Sequence, residues 1–150
     1  MCNCNPIIPL TDEVKRKVNV LKFMLFGYAV LLIALIATGG IESIFSYIIS
    51  ILCVLAAAFQ ANYQYCGIGV LFSFLNGFSS FLFLALRVQN AILNLNEPLK
   101  IKYNGLFVMT IIIHCVSFIF HLLLIYFLFD SYKEFKATYK NNSYSKKNLY

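Results

Sequence analysis

The sequence contains few charged residues. Only 12% of its 150 residues are Asp, Glu, Lys or Arg, whereas 61% are hydrophobic, and the mean hydropathy is +0.78. Soluble globular domains carry about 25% charged residues, so this composition excludes a soluble domain. Once the polar ends are set aside, about four helical spans of ~20 residues fit in the chain. The sequence therefore predicts one integral membrane domain, with no room for a separate catalytic domain.

The sequence also lacks the patterns that are typical of catalytic and metal sites. It has no HExxH motif, no glycine-rich phosphate loop and no pair of carboxylates within an apolar run. The one nucleophile beside a base is Cys115, next to His114, and adjacent positions point to different faces of a helix. We therefore expect no catalytic residue, no cofactor and no bound metal, and we predict that the chain is not an enzyme.

Three interruptions divide the apolar sequence into four spans. Gly39 and Gly40 in TGGIE end the first helix, QANYQY reverses the chain, and VQNAILNLNEPLKIKYNG is the longest polar segment. The sequence predicts an all-α integral membrane protein, a four-helix transmembrane bundle with antiparallel hairpins, in which DSYKEFKATYK forms a short amphipathic C-terminal extension. The predicted parts are a polar tail over 1–20, a transmembrane domain over 21–130 with spans at about 21–38, 43–60, 66–87 and 105–129, and a basic tail over 131–150.

Basic residues predict the orientation of these spans. They flank the apolar runs, which favours a role in membrane topology over nucleic-acid binding. With four spans, the positive-inside rule places both termini in the cytoplasm. The third loop, with Arg87, Lys100 and Lys102, argues against this orientation, and a three-span chain would need a re-entrant hairpin in place of the first two spans. Glycosylation of the sequon at Asn141 would exclude cytoplasmic termini. The flanking basic residues are Lys15, Arg16, Lys17 and Lys22 before the first span, and Lys133, Lys136, Lys140, Lys146 and Lys147 after the last.

Polar and small residues recur at helical spacing within the spans. In a bilayer such a face marks the bundle interior, because small side chains allow close approach and polar ones form interhelical hydrogen bonds. Spans two, three and four each have one such face, and span one has a weaker one at Gly27, Ala34 and Thr38. We call the predicted set the polar seam. It contains Ser46, Ser50, Ser73, Asn76, Ser80, Thr110, His114, Ser117 and His121.

The only two histidines, His114 and His121, lie seven residues apart on the same face of span four. This spacing separates them by about 10.5 Å along the helix, too far to bind one metal ion, and a haem with two histidine ligands needs them on different helices. A proton relay is chemically open to histidine, but no Asp or Glu lies inside a predicted span, where proton-coupled transporters usually place one. We interpret both histidines as hydrogen-bonded packing residues.

Two further features lie at the edges of the spans. Glu42 begins span two and Arg87 ends span three at the same predicted depth, so we expect them to form an ion pair. Cys2 and Cys4 in MCNC are candidate S-acylation sites, with a weak metal site and an unmodified tail as the alternatives.

These observations favour a non-catalytic membrane protein, either an endomembrane trafficking adaptor or an accessory subunit of a larger membrane complex. Its expected partners are the lipid bilayer and another membrane protein or a second copy, and not nucleic acid. In size, span count and cytoplasmic ends the chain resembles small four-span endomembrane proteins, such as Golgi vesicle and COPI-associated proteins. The resemblance implies an endomembrane location and assigns no residue a role. The alternative is a small transporter or channel with a polar path along His114, Ser117, His121 and Asn76.

Overall fold

The computed structural model describes residues 8–38, 44–94 and 105–147. Within them the chain forms four helices, three of which are long and apolar enough to cross a membrane, while the second is an apolar helix of 17 residues. An all-helical architecture compatible with a membrane bundle, as predicted, is therefore confirmed. The helices are α1 (Asp12–Ala37), α2 (Ile44–Gln60), α3 (Tyr63–Asn94) and α4 (Gly105–Lys147).

The helices continue into sequence that hydropathy assigned to tails and loops. Helix α1 begins at Asp12, inside the predicted polar tail, because Thr11 caps it: the Thr11 hydroxyl accepts a hydrogen bond from the Val14 amide at 3.3 Å. Asp12 and Glu13 lie in the first turn, where negative charge is favourable to the helix dipole. Helix α4 continues past Phe129 to Lys147. Hydropathy marks the apolar part of a helix, whereas capping and propensity decide where it ends.

A two-residue turn joins α2 to α3. Ala61 adopts a left-handed backbone with a φ of 47°, which is uncommon for a residue with a Cβ, and its side chain is buried. Asn62 then caps α3, since its side-chain oxygen accepts a hydrogen bond from the Gln64 amide at 2.9 Å. The short connection places the end of α2 directly beside the start of α3.

Each helix packs against two others. The neighbouring pairs are α1 with α2, α2 with α3, α3 with α4 and α4 with α1. The apolar interior is built from stripes at helical spacing, and the buried stripe of α1 runs through Leu21, Met24, Tyr28, Leu31 and Leu35. Large hydrophobic side chains such as Phe23, Phe45 and Tyr126 face outward. This distribution suits a bundle surrounded by lipid.

Candidate functional site: the polar seam

The structure places the predicted seam residues between the helices. Ser46 is half-buried and the others are buried, although several come from different levels of the bundle. Ser50, Asn76 and Ser117, which we expected near one midplane level, form no hydrogen bonds to one another; each bonds to a side chain on another helix. The seam therefore extends over more than one turn of each helix.

His121 is at the centre of a directional chain of hydrogen bonds. Its Nδ1 lies 2.7 Å from the carbonyl oxygen of Ser117, which can only accept, so Nδ1 carries a proton. In the neutral ring Nε2 is then an acceptor, and the Tyr28 hydroxyl donates to it at 3.0 Å. The Tyr28 oxygen in turn accepts from Nδ2 of Asn76 at 2.7 Å. Ser46 completes the chain by donating to Oδ1 of Asn76 at 2.6 Å. Side chains from all four helices thus form one bonded network.

A second group of hydroxyls lies beside this chain. The Tyr47 hydroxyl is 2.6 Å from Oγ of Ser117 and 3.3 Å from Oγ of Ser80, and the two serine oxygens are 2.9 Å apart. This triangle connects α2, α3 and α4. Farther along, Ser50 and Ser73 bring their hydroxyls to 3.4 Å. In hydrocarbon, such bonds satisfy groups that would otherwise be costly to bury.

Aromatic rings and a glycine enclose His121. The Tyr28 and Tyr47 rings each meet the imidazole edge to face, at centroid distances of 5.2 Å. On α3, a Cβ added at Gly77 would lie 3.1 Å from the Cβ of His121, tighter than about nine in ten real Cβ contacts. Glycine therefore favours the close approach of α3 to α4 at this level.

His114 lies in different surroundings, although it shares the helix face. It is 6% exposed, and its Nδ1 makes no hydrogen bond within the part of the chain that the structure describes. Its ring meets Phe83 edge to face at 5.3 Å. Thr110, one turn earlier on α4, is also buried. The bonded network thus includes His121 and does not reach His114.

Among the described residues, charged side chains lie outside the polar seam. Lys17 of α1 and Asp130 of α4 form an ion pair in which both side chains are partly shielded. Arg87 is exposed, with its guanidinium carbon 6.0 Å above the Phe107 ring. The predicted partner of Arg87, Glu42, lies outside the described residues, as do Cys2 and Cys4. Among the residues described, no group of three or more His, Cys, Asp or Glu could hold a metal ion.

The sequence interpretation missed two members of the network, Tyr28 and Tyr47. Tyrosine is often an interfacial residue in membranes, so a hydropathy scan does not count it with the polar residues. A signal was present nonetheless, because Tyr28 occupies the buried apolar stripe of α1 and Tyr47 directly follows Ser46. By contrast, the face predicted for α1 at Gly27, Ala34 and Thr38 is only half-buried.

The chain was also compared with known proteins. No protein-family model, curated protein or solved structure matches it. The geometry of the polar seam and of the outer surface is therefore the basis for an inference of function.

Proposed function

We propose that the chain is a non-catalytic multi-pass membrane protein that serves as an accessory subunit of a larger membrane complex or as an endomembrane trafficking adaptor. One observation carries the proposal: the polar side chains around His121 bond to one another across all four helices. Polar groups that satisfy one another hold helices together and leave little capacity for a substrate. The surface left for a partner is the apolar outer one, which is lined with phenylalanines such as Phe23, Phe26 and Phe45.

We further propose four spans in antiparallel hairpins with both termini in the cytoplasm. Contacts of opposite register support this order: Ser46 bonds Asn76 while the later Ser50 meets the earlier Ser73. Helix α4 is likewise antiparallel to α1, since Lys17 pairs with Asp130 whereas the later Tyr28 bonds to the earlier His121. Helix α2 rises about 25 Å over its 17 residues, close to the lower limit for a spanning helix. Residues 131–150 are then the basic cytoplasmic tail, and the segment DSYKEFKATYK at its start is the amphipathic extension of span four.

The subunit role predicts a partner that survives gentle extraction. A tagged copy purified in mild detergent should retain a second membrane protein or a second copy of itself at fixed stoichiometry. Replacing the outward Phe23 and Phe26 with Ala should release it, whereas Tyr28→Phe, a change inside the bundle, should not. Recovery of a solitary monomer from every detergent tested would contradict the proposal. Localisation of the same tagged copy tests the endomembrane assignment.

A second candidate function is a small transporter or channel, with its path along His114, Ser117, His121 and Asn76. The Nδ1 of buried His114 favours it, because this nitrogen has no hydrogen bond within the described ranges, unlike the bonded nitrogens of His121. Two links oppose proton relay through the His121 chain: the Asn76 amide and the Ser117 carbonyl do not pass on protons as hydroxyls or imidazoles do. Ion or proton flux in reconstituted vesicles distinguishes the candidates. A flux above protein-free vesicles that His114→Ala and His121→Ala abolish would favour transport.

A further inference from the structure

The outer surface along α3 and α4 has two features on one continuous face. In the middle of the helices lies an open groove of about 270 Å³, lined by Phe74, Phe78, Phe81, Phe118, Leu122 and Ile125. Toward the end where α3 begins, α4 presents a group that we call the lysine ledge, formed by Phe129, Tyr132, Lys133 and Lys136. On α4 the spacing from Phe118 through Leu122, Ile125 and Phe129 to Lys133 is three or four residues at each step. Helical periodicity therefore aligns the groove and the ledge.

The ledge holds its ammonium groups in place with aromatic rings. The Lys133 ammonium lies 4.6 Å from the centroid of the Phe129 ring. Lys136 donates a hydrogen bond to the Tyr132 hydroxyl at 3.0 Å, and the Tyr132 ring packs edge to face on Tyr63 of α3. Both lysines are exposed, so they are available to an anion. Tyrosine beside lysine is typical of the level at which a membrane protein meets lipid headgroups.

The acidic side chains at this end lie on another side of α4. Glu134 lines a cleft together with Asp12 and Glu13 of α1, and its carboxylate accepts a hydrogen bond from Thr138. Asp130 is paired with Lys17. Charge is thus segregated around the helix, with carboxylates toward α1 and the ledge lysines toward α3. This separation leaves a locally positive surface directly in line with the apolar groove.

The distance between ledge and groove matches one leaflet. Eight residues separate Ile125 from Lys133, a rise of about 12 Å, and the hydrocarbon core of one leaflet is about 15 Å thick. A lipid whose phosphate contacts the lysines would therefore have the middle of its acyl chain beside the phenylalanines of the groove. A soluble anion would use only the ledge.

We propose that this face binds one anionic glycerophospholipid, with the headgroup phosphate on Lys133 and Lys136 and an acyl chain in the α3/α4 groove. The proposal rests on the proposed placement of this bundle in a bilayer and is independent of the accessory-subunit role. The phosphate supplies the negative charge that the ledge lacks, and the groove accepts the chain without any polar partner.

The test uses the full chain in detergent micelles and native mass spectrometry with phosphatidylinositol phosphate and phosphatidylcholine of identical acyl chains. The anionic lipid should bind the wild type at least 10-fold more tightly than phosphatidylcholine. Lys133→Gln combined with Lys136→Gln should weaken its binding on the order of 10- to 30-fold. The matched control, Lys15→Gln with Arg16→Gln, removes the same charge from exposed positions on α1 and should change binding less than 3-fold. If the two double substitutions weaken lipid binding equally, the lysine ledge is not the headgroup site.

The groove is tested separately. Leu122→Trp fills it, whereas Leu123→Trp adds the same bulk at an exposed position pointing away from it. Only Leu122→Trp should weaken binding of the long-chain lipid, and neither should alter the weak binding of soluble inositol phosphate. If soluble inositol phosphate binds as tightly as the lipid, the acyl chain does not contribute to binding. The lysine ledge would then be a site for soluble phosphates. Thermal unfolding of each variant checks that it is folded. If the purified chain has no protein partner but still binds the anionic lipid, the subunit role is contradicted and the lipid site is retained.

Discussion

His114 and His121 occupy the same face of α4, two turns apart, and both are buried, but only His121 belongs to the bonded network. The difference comes from the neighbouring helices. Around His121, α1 supplies Tyr28, α2 supplies Tyr47, and α3 supplies Gly77 and, through Tyr28, Asn76. At His114 the contact given by α3 is the Phe83 ring. Position on a helix face therefore does not determine whether a polar residue is hydrogen-bonded. The side chains that other helices place opposite it determine this.

The largest expected effect contrasts the two histidines directly. His121→Phe removes the acceptor of the Tyr28 hydroxyl and the donor to the Ser117 carbonyl, so we expect a loss of about 2 kcal/mol in the free energy of unfolding. His114→Phe replaces a ring whose buried Nδ1 has no hydrogen-bond partner among the described residues, and it keeps an aromatic ring against Phe83, so its cost should be near zero. Reversible unfolding in mixed micelles measures both. Equal costs for the two variants would show that the hydrogen bonds of His121 do not stabilise the bundle more than the packing of His114 does.

Close approach of the helices at His121 gives the next test. Gly77→Ala places a Cβ 3.1 Å from the Cβ of His121, a few tenths of an ångström closer than ordinary contact, and we expect it to lower the free energy of unfolding by roughly 1 to 2 kcal/mol. Gly67→Ala is the matched control on the same helix, because its Cβ would meet Tyr132 at an ordinary 3.8 Å. Alanine's better helix propensity should make that change neutral or stabilising. If Gly77→Ala protein is as stable as Gly67→Ala protein, there is room for a methyl group between α3 and the His121 side chain.

The Tyr28 hydroxyl of α1 gives a third test, with a smaller expected effect. Tyr28→Phe keeps the ring but deletes the hydroxyl that joins Asn76 to His121, and should cost about 1 kcal/mol, within the range measured for hydrogen bonds in membrane bundles. Tyr126→Phe deletes a hydroxyl from an outward-facing ring and should cost almost nothing. The same unfolding assay compares the two. If the variants unfold alike, the Tyr28 hydroxyl is not an essential link of the network.

The smallest expected effect concerns the ion pair that joins α1 to α4. A double-mutant cycle with Lys17→Gln and Asp130→Asn should give a coupling of about 0.5 to 1 kcal/mol, since both side chains are partly shielded. The exposed pair of Lys15 with Asp12, within one helix, should give a smaller coupling, because solvent screens it fully. High salt should reduce both couplings. A Lys17–Asp130 coupling no larger than that of the exposed pair would mean that this ion pair contributes no more to the α1–α4 contact than a surface pair does.

Hydropathy and helical spacing are local properties, so the sequence indicated the class of fold and several helix positions that the structure buries. Ser50, Ser73 and Asn76 could be assigned to the interior from spacing alone. Their partners could not, because register between helices depends on side chains far apart in sequence. Tyr28 bonds to a residue 93 positions away, and nothing local marks its hydroxyl as polar interior rather than membrane interface. The contrast between His114 and His121 is likewise invisible in α4 by itself.

Direct hydrogen bonds close the seam at His121. Solid-state ¹⁵N NMR of the histidines in lipid bilayers tests this closure, with His114→Phe protein used to assign the signals. We predict a neutral His121 with its proton on Nδ1, no magnetisation transfer from water, and slow exchange of that proton with deuterated solvent. Rapid exchange of the His121 ring proton, magnetisation transfer from water or a proton on Nε2 would contradict this closure. The seam would then be a hydrated path, as the transporter or channel alternative requires.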